Sequence, residues 1–195
     1  MFKSVKTIAA LAVATVALAG GAAQAQAATS FGADVNPDVQ PSNSSQAHEC
    51  NGFPNKKCTW VLNDAYGNPG HEKSPKTGTL KKIKLIAGEA GSFKLQLVKV
   101  NGAQKAKVVT NGPKITYEGQ DDPNADTYDV ETFKVNIPVH KGEQLAIATK
   151  ETSTLRCSSG GDNTLLYNPV LQVGNALQAL GSDDGCWMLI EGVVK

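Results

Sequence analysis

The chain has 195 residues, of which 41% are hydrophobic and 19% charged, with a formal net charge of +1. That is the composition of a globular protein and excludes a disordered or collagen-like one. Without Lys3 and Lys6, which precede an apolar run, 17 basic side chains face 18 acidic ones, and a balance so near neutrality argues against a nucleic-acid partner.

The apolar run covers 7–19 and ends in Ala22-Ala23-Gln24-Ala25-Gln26-Ala27. A basic start, a short uncharged core and small residues at its end define a secretory signal peptide over 1–27, cleaved after Ala25 or Ala27. The run is too short to span a bilayer. The expected product is therefore secreted and extracellular, with no membrane insertion after cleavage. Residues 28–47 are rich in Ser, Asn, Gln and Pro, with Phe31 and two valines as the main apolar content. So little burial cannot offset the entropy of ordering, which predicts a flexible N-terminal lead before a single domain over 48–195.

Cys50, Cys58, Cys157 and Cys186 fit neither zinc-ligand nor C-x-x-C redox spacing. In an oxidising compartment they form two disulfides. Of the three connectivities, pairing in sequence order, Cys50–Cys58 and Cys157–Cys186, closes the shortest loops and is favoured.

After Cys58, short runs alternate apolar and polar residues with period two, the signature of half-buried strands. They fall at 59–62, 79–86, 92–100, 104–110, 114–118, 130–139 and 144–149. Asn101-Gly102 and Asn111-Gly112, the latter followed by Pro113, read as turns. The segment 152–184 holds apolar islands broken by Gly, Pro and Asn, with Leu177 and Leu180 spaced for at most one helical turn. A nearly continuous apolar strand over 186–194 closes the chain. About eight strands predict an all-β, antiparallel two-sheet sandwich of jelly-roll type. An immunoglobulin-like sandwich fits less well, because its inter-sheet cysteine pair is missing.

The stretch Phe133-Lys134-Val135-Asn136-Ile137-Pro138-Val139-His140-Lys141-Gly142-Glu143-Gln144-Leu145-Ala146-Ile147 resembles the V-x-K-G-D-x-L-x-I segment of jelly-roll domains in secreted bacterial proteins, with Glu143 in place of Asp. Cys157-Ser158-Ser159-Gly160-Gly161 and Asp184-Gly185-Cys186 also resemble segments of uncharacterised exported bacterial β-sandwich proteins. The resemblance covers the C-terminal two-fifths and implies a fold and an address, with no activity attached.

Asp121, Asp122, Asn124 and Asp126 offer oxygen ligands at the short spacing a structural Ca²⁺ needs, but lack the EF-hand register. A solvated hairpin loop explains them as well. No other cofactor motif is present. Ser158 and Ser159 lack the G-x-S-x-G elbow of a hydrolase nucleophile. His48, His71 and His140 sit in loops or at the edge of the lead, where none is restrained as a general base must be. Glu191 is the one acid inside an apolar run, and an outward position on a strand accounts for it. A sugar site needs an exposed aromatic beside amide or carboxylate groups. Tyr66, Tyr117 and Tyr128 flank loops and are the candidates, while Trp60 and Trp187 fall in strands beside cysteines and are expected in the core. Lys82, Lys84, Lys94, Lys105, Lys107, Lys114 and Lys134 take outward positions, either attracting an acidic polysaccharide or blocking edge pairing. All basic residues but Arg156 are lysines, so a dedicated bidentate anion pocket is not expected.

The leading expectation is a secreted non-enzymatic sandwich acting by surface binding of a polysaccharide or other cell-envelope component. A carbohydrate-binding module with a structural Ca²⁺ and an extracellular hydrolase are the alternatives.

Overall fold

Alternation of apolar and polar residues places strands in almost every stretch where it occurs. The computed structural model describes residues 27–38, 48–50, 56–121, 127–157 and 162–195; the expected leader, except Ala27, lies outside them. The strands are β1 (Thr29–Gly32), β2 (His48–Glu49), β3 (Cys58–Leu62), β4 (Gly78–Leu85), β5 (Gly91–Val100), β6 (Ala106–Tyr117), β7 (Glu131–Val139), β8 (Gln144–Thr149), β9 (Glu151–Thr152), β10 (Leu155–Cys157), β11 (Thr164–Tyr167), β12 (Ser182–Asp184), β13 (Cys186–Met188) and β14 (Ile190–Val194). No helix occurs among the described residues.

A four-stranded sheet runs β1-β14-β4-β7 and a six-stranded sheet β12-β11-β3-β8-β5-β6, with the short pairs β2-β9 and β10-β13 beside them. Their strands pair antiparallel throughout. Leu80, Ile83 and Leu85 of β4 share one buried cluster with Leu95 and Leu97 of β5 and Leu145 and Ile147 of β8. The protein is thus all-β, with a core filled from both large sheets. Both expected disulfides are present, Cys50–Cys58 and Cys157–Cys186.

Four local expectations are corrected. Residues 29–32, expected in the flexible lead, form β1, because Phe31 finds a fully buried place opposite Gly192. Asn111-Gly112-Pro113, expected as a turn, lies inside β6. A bulge absorbs the extra residue between the pairs Gln96↔Asn111 and Lys94↔Lys114. Proline is tolerated there because β6 is an edge strand, and a Cβ at Gly112 would stand 2.8 Å from Ile137 Cδ1. The strand expected over 186–194 breaks at Leu189, whose N–H donates to Thr154 O (2.8 Å), so that β13 pairs with β10 while β14 joins the four-stranded sheet. Residues 176–180 form no helical turn; Gln178 exchanges backbone hydrogen bonds with Ala106 at 2.8 and 2.9 Å.

The segment 168–181 covers part of the outer face of the six-stranded sheet. Leu171 and Leu180 pack there on Val61, Val98, Val108, Ala146, Leu165 and Tyr167. Tyr167 Oη donates to Gln104 O at 2.7 Å, and burial pushes its pKa from 10.0 up to about 12. The unfolded chain therefore releases this proton first, and stability is expected to fall as the pH rises from about 10 to about 12, by about 2 kcal/mol from this group. Urea unfolding across that range should show a shallower fall for Tyr167→Phe; parallel curves would refute the assignment.

Candidate functional site

Successive side chains of a strand face opposite ways. With Phe93, Leu95, Ile115 and Ile147 in the core, Ser92, Lys94, Lys114, Thr116 and Ala148 point outward from the six-stranded sheet. Register aligns Thr59, Ala148, Lys94 and Lys114 in one row across β3, β8, β5 and β6. Ala148 carries only a methyl group between two longer side chains, and a trough results.

The covering segment stops at this row, held by a buried polar network. Thr59 Oγ1 donates to Gln96 Oε1 (3.2 Å). Gln96 Nε2 donates to Asn111 Oδ1 (3.0 Å) and to Leu171 O (3.2 Å), and Leu171 N–H donates back to Thr59 Oγ1 (3.1 Å). Satisfied groups in a low-dielectric setting fix geometry tightly, and here they fix where the cover ends.

Beyond the network lies an open cleft of about 750 Å³, whose charged lining consists of Lys57, Lys94, Lys114, Lys150 and Glu151. Ser92, Thr116 and Thr149 add hydroxyls, and Gly91, Phe93 and Ala148 add apolar surface. Lys57 also lines a hollow with Pro169, Val170, Gln172 and Asn175, and Lys150 and Glu151 line another with Glu49, Cys50 and Lys56. All four cleft lysines are exposed.

Of the lysines expected on one face, only Lys94 and Lys114 are in this cleft. Lys82, Lys84 and Lys134 belong to the four-stranded sheet, where Lys84 pairs with Glu191 at 3.0 Å. Lys57 and Lys150 were not anticipated. Continuing the alternation of β8 past Ala146 and Ala148 would have put Lys150 outward.

A second patch gathers two of the three candidate tyrosines. Tyr66 and Trp187 meet edge to face, with ring centroids 5.3 Å apart at 64°, and Trp187 Nε1 donates a long hydrogen bond to Asp64 Oδ2 (3.5 Å). Tyr66 and Tyr128 both pack on Ala33, Val35, Ile86 and Leu189. Trp187, expected in the core, is half-buried. Trp60 takes the expected core place. Tyr117, the third candidate, lines the cleft instead; it is 2% exposed, with its ring 5.8 Å from Phe93.

Asp122, Asn124, Asp126, Ser158 and Ser159 lie outside the described residues. Asp121 is exposed, and its N–H donates to Asp129 Oδ2 at 3.4 Å. His48 Nε2 stands 3.0 Å from Cys157 Sγ, and ligand atoms of His48, Cys157 and Cys186 lie within 4.8 Å of one another. Both sulfurs are committed to a disulfide and so are not the thiolates a metal takes. His71 is exposed in a turn. The His140 backbone N–H donates to the Glu143 carboxylate and its ring Nδ1 contacts the other oxygen, each at 2.9 Å. Glu143 is fully buried, so this pair holds the turn into β8. The Glu191 carboxylate is met by Lys84.

No family model, curated protein or solved structure matches the chain.

Proposed function

We propose that the chain is an exported, non-enzymatic jelly-roll protein that works by binding a polysaccharide of the cell envelope or its surroundings. The leader sequence and the two disulfides support export. The strand orders β1-β14-β4-β7 and β3-β8-β5-β6, with the first strand beside the last, support the jelly-roll reading. The observation that carries the function is the open cleft where the cover of the six-stranded sheet ends. A preformed concavity with hydroxyls, charges and some apolar surface is what a sugar polymer requires.

The test uses the chain from residue 28 onward on a panel of immobilised polysaccharides. Binding to at least one is expected, with the cleft-filling pair Ser92→Tyr and Thr116→Tyr weakening it by about tenfold or more while melting stays near wild type. A second reading, a sugar site at the Tyr66–Trp187 patch, is favoured by Asp64 beside the indole. It predicts the reverse pattern, in which Tyr66→Ala abolishes binding and cleft filling does not. Absence of binding to any polymer overturns both.

A further inference from the structure

The cleft carries a charge arrangement that folding alone disfavours. Lys94 and Lys114 stand directly opposite each other on β5 and β6. Cβ atoms of such partners are about 5 Å apart, and like charges there are destabilising. Lysine on an edge strand has an ordinary purpose, since it keeps the edge from pairing with another chain. That purpose explains Lys114 on the edge strand β6. It does not explain Lys94, because β5 lies inside the sheet with β8 and β6 on either side. Lys57 and Lys150 line the same hollow, against the single carboxylate of Glu151. No ion pair joins any of these four lysines to an acid among the described residues. The surplus of positive charge is local, in a chain that is otherwise balanced.

Resting on the reading of this cleft as the binding site, we propose that its ligand is a carboxylated polysaccharide, a sugar polymer with repeated uronate-type charges set against Lys94 and Lys114. Ammonium groups on flexible stems act as point charges without the fixed fork of guanidinium. They suit a chain whose anions recur along its length better than one small anion held in a fixed pose. The hydroxyls of Ser92 and Thr116, beside the two lysines, match sugar hydroxyls, which a plain phosphate polymer lacks. A polyanion lying in the cleft would place negative charge between the opposed lysines and turn their repulsion into attraction.

The test measures binding of the chain from residue 28 onward to polygalacturonate, to an uncharged glucan and to polyphosphate. Wild type should bind polygalacturonate about tenfold or more tighter than the glucan, and raising salt from about 50 to about 500 mM should weaken it by about tenfold. Lys94→Gln with Lys114→Gln should lose about tenfold, and Lys94→Glu with Lys114→Glu about a hundredfold. The Gln pair should also melt at or above the wild-type temperature, since a repulsion has been removed. A lower melting temperature would mean the lysines serve the fold and would overturn the proposal. If the glucan binds as well as polygalacturonate and the lysine variants change nothing, the charge inference fails while the cleft reading survives. If no polymer binds, both fail. Clearly tighter binding to polyphosphate than to polygalacturonate overturns the assignment to a carboxylated sugar.

Discussion

Reduction of both disulfides should lower the free energy of unfolding by about 6 kcal/mol, a large part of what a domain of this size possesses. The cysteines are separated by 8 residues in Cys50–Cys58 and by 29 in Cys157–Cys186. Removing the loop entropy of the unfolded chain is worth about 2.6 kcal/mol for the first and about 3.6 kcal/mol for the second. The two bonds act at different places. Cys50–Cys58 ties the start of β3 to the residue after β2, whose one partner among the described residues is the two-residue β9. Cys157–Cys186 joins directly opposed residues of β10 and β13, a three-residue pair whose Leu155 and Met188 sit in the main core cluster. Urea unfolding with and without a phosphine reductant gives the measurement. With a slope of about 2 kcal/mol/M the midpoint should fall by about 3 M. Replacing Cys157 and Cys186 together by Ser should account for the larger share. A fall below about 1 kcal/mol would show that the sheets stand without their bridges.

Phe31→Ala should destabilise the protein by about 3–5 kcal/mol, the usual result of removing a buried ring. The residue is 0% exposed and faces Gly192 across the β1–β14 ladder. The fit is mutual: a Cβ on Gly192 would stand 2.8 Å from Phe31 Cε1 and 2.9 Å from Leu80 Cδ1. The ring therefore occupies the space the glycine leaves. Gly192→Ala alone should cost about 1–3 kcal/mol through overpacking. In the Phe31→Ala background the same change should cost less, because the clashing ring is gone. Denaturant midpoints of the four proteins in this cycle decide the matter. A loss below about 1 kcal/mol for Phe31→Ala would return residues 29–32 to the status of a loose lead.

Strands β3, β4, β5, β7 and β8 were legible from alternation, because each sends apolar side chains of one face into the core. The disulfide pairing was legible from loop length. The first strand was not, since a single Phe among polar residues has no periodicity, and its partner is the last strand of the chain. The turn signal at Asn111-Gly112 was locally sound but lost to edge position and a bulge, which are properties of the sheet. The cleft was the least legible feature. It exists because Ala148 falls between Thr59 and Lys94 and because the cover is pinned at Leu171, both matters of cross-strand register that a one-dimensional pattern does not contain. The Tyr66–Trp187 contact likewise joins residues from distant parts of the chain.

Thr29 faces Val194 at the margin of the four-stranded sheet, so β1 has no docking place until β14 has been synthesised. Nor can β4 complete its ladder before β7 and β14 arrive on its two flanks. Such wiring is slow to close and gives nascent fragments little to fold around. β14, far along the chain from both of its neighbours, is the latch of that sheet.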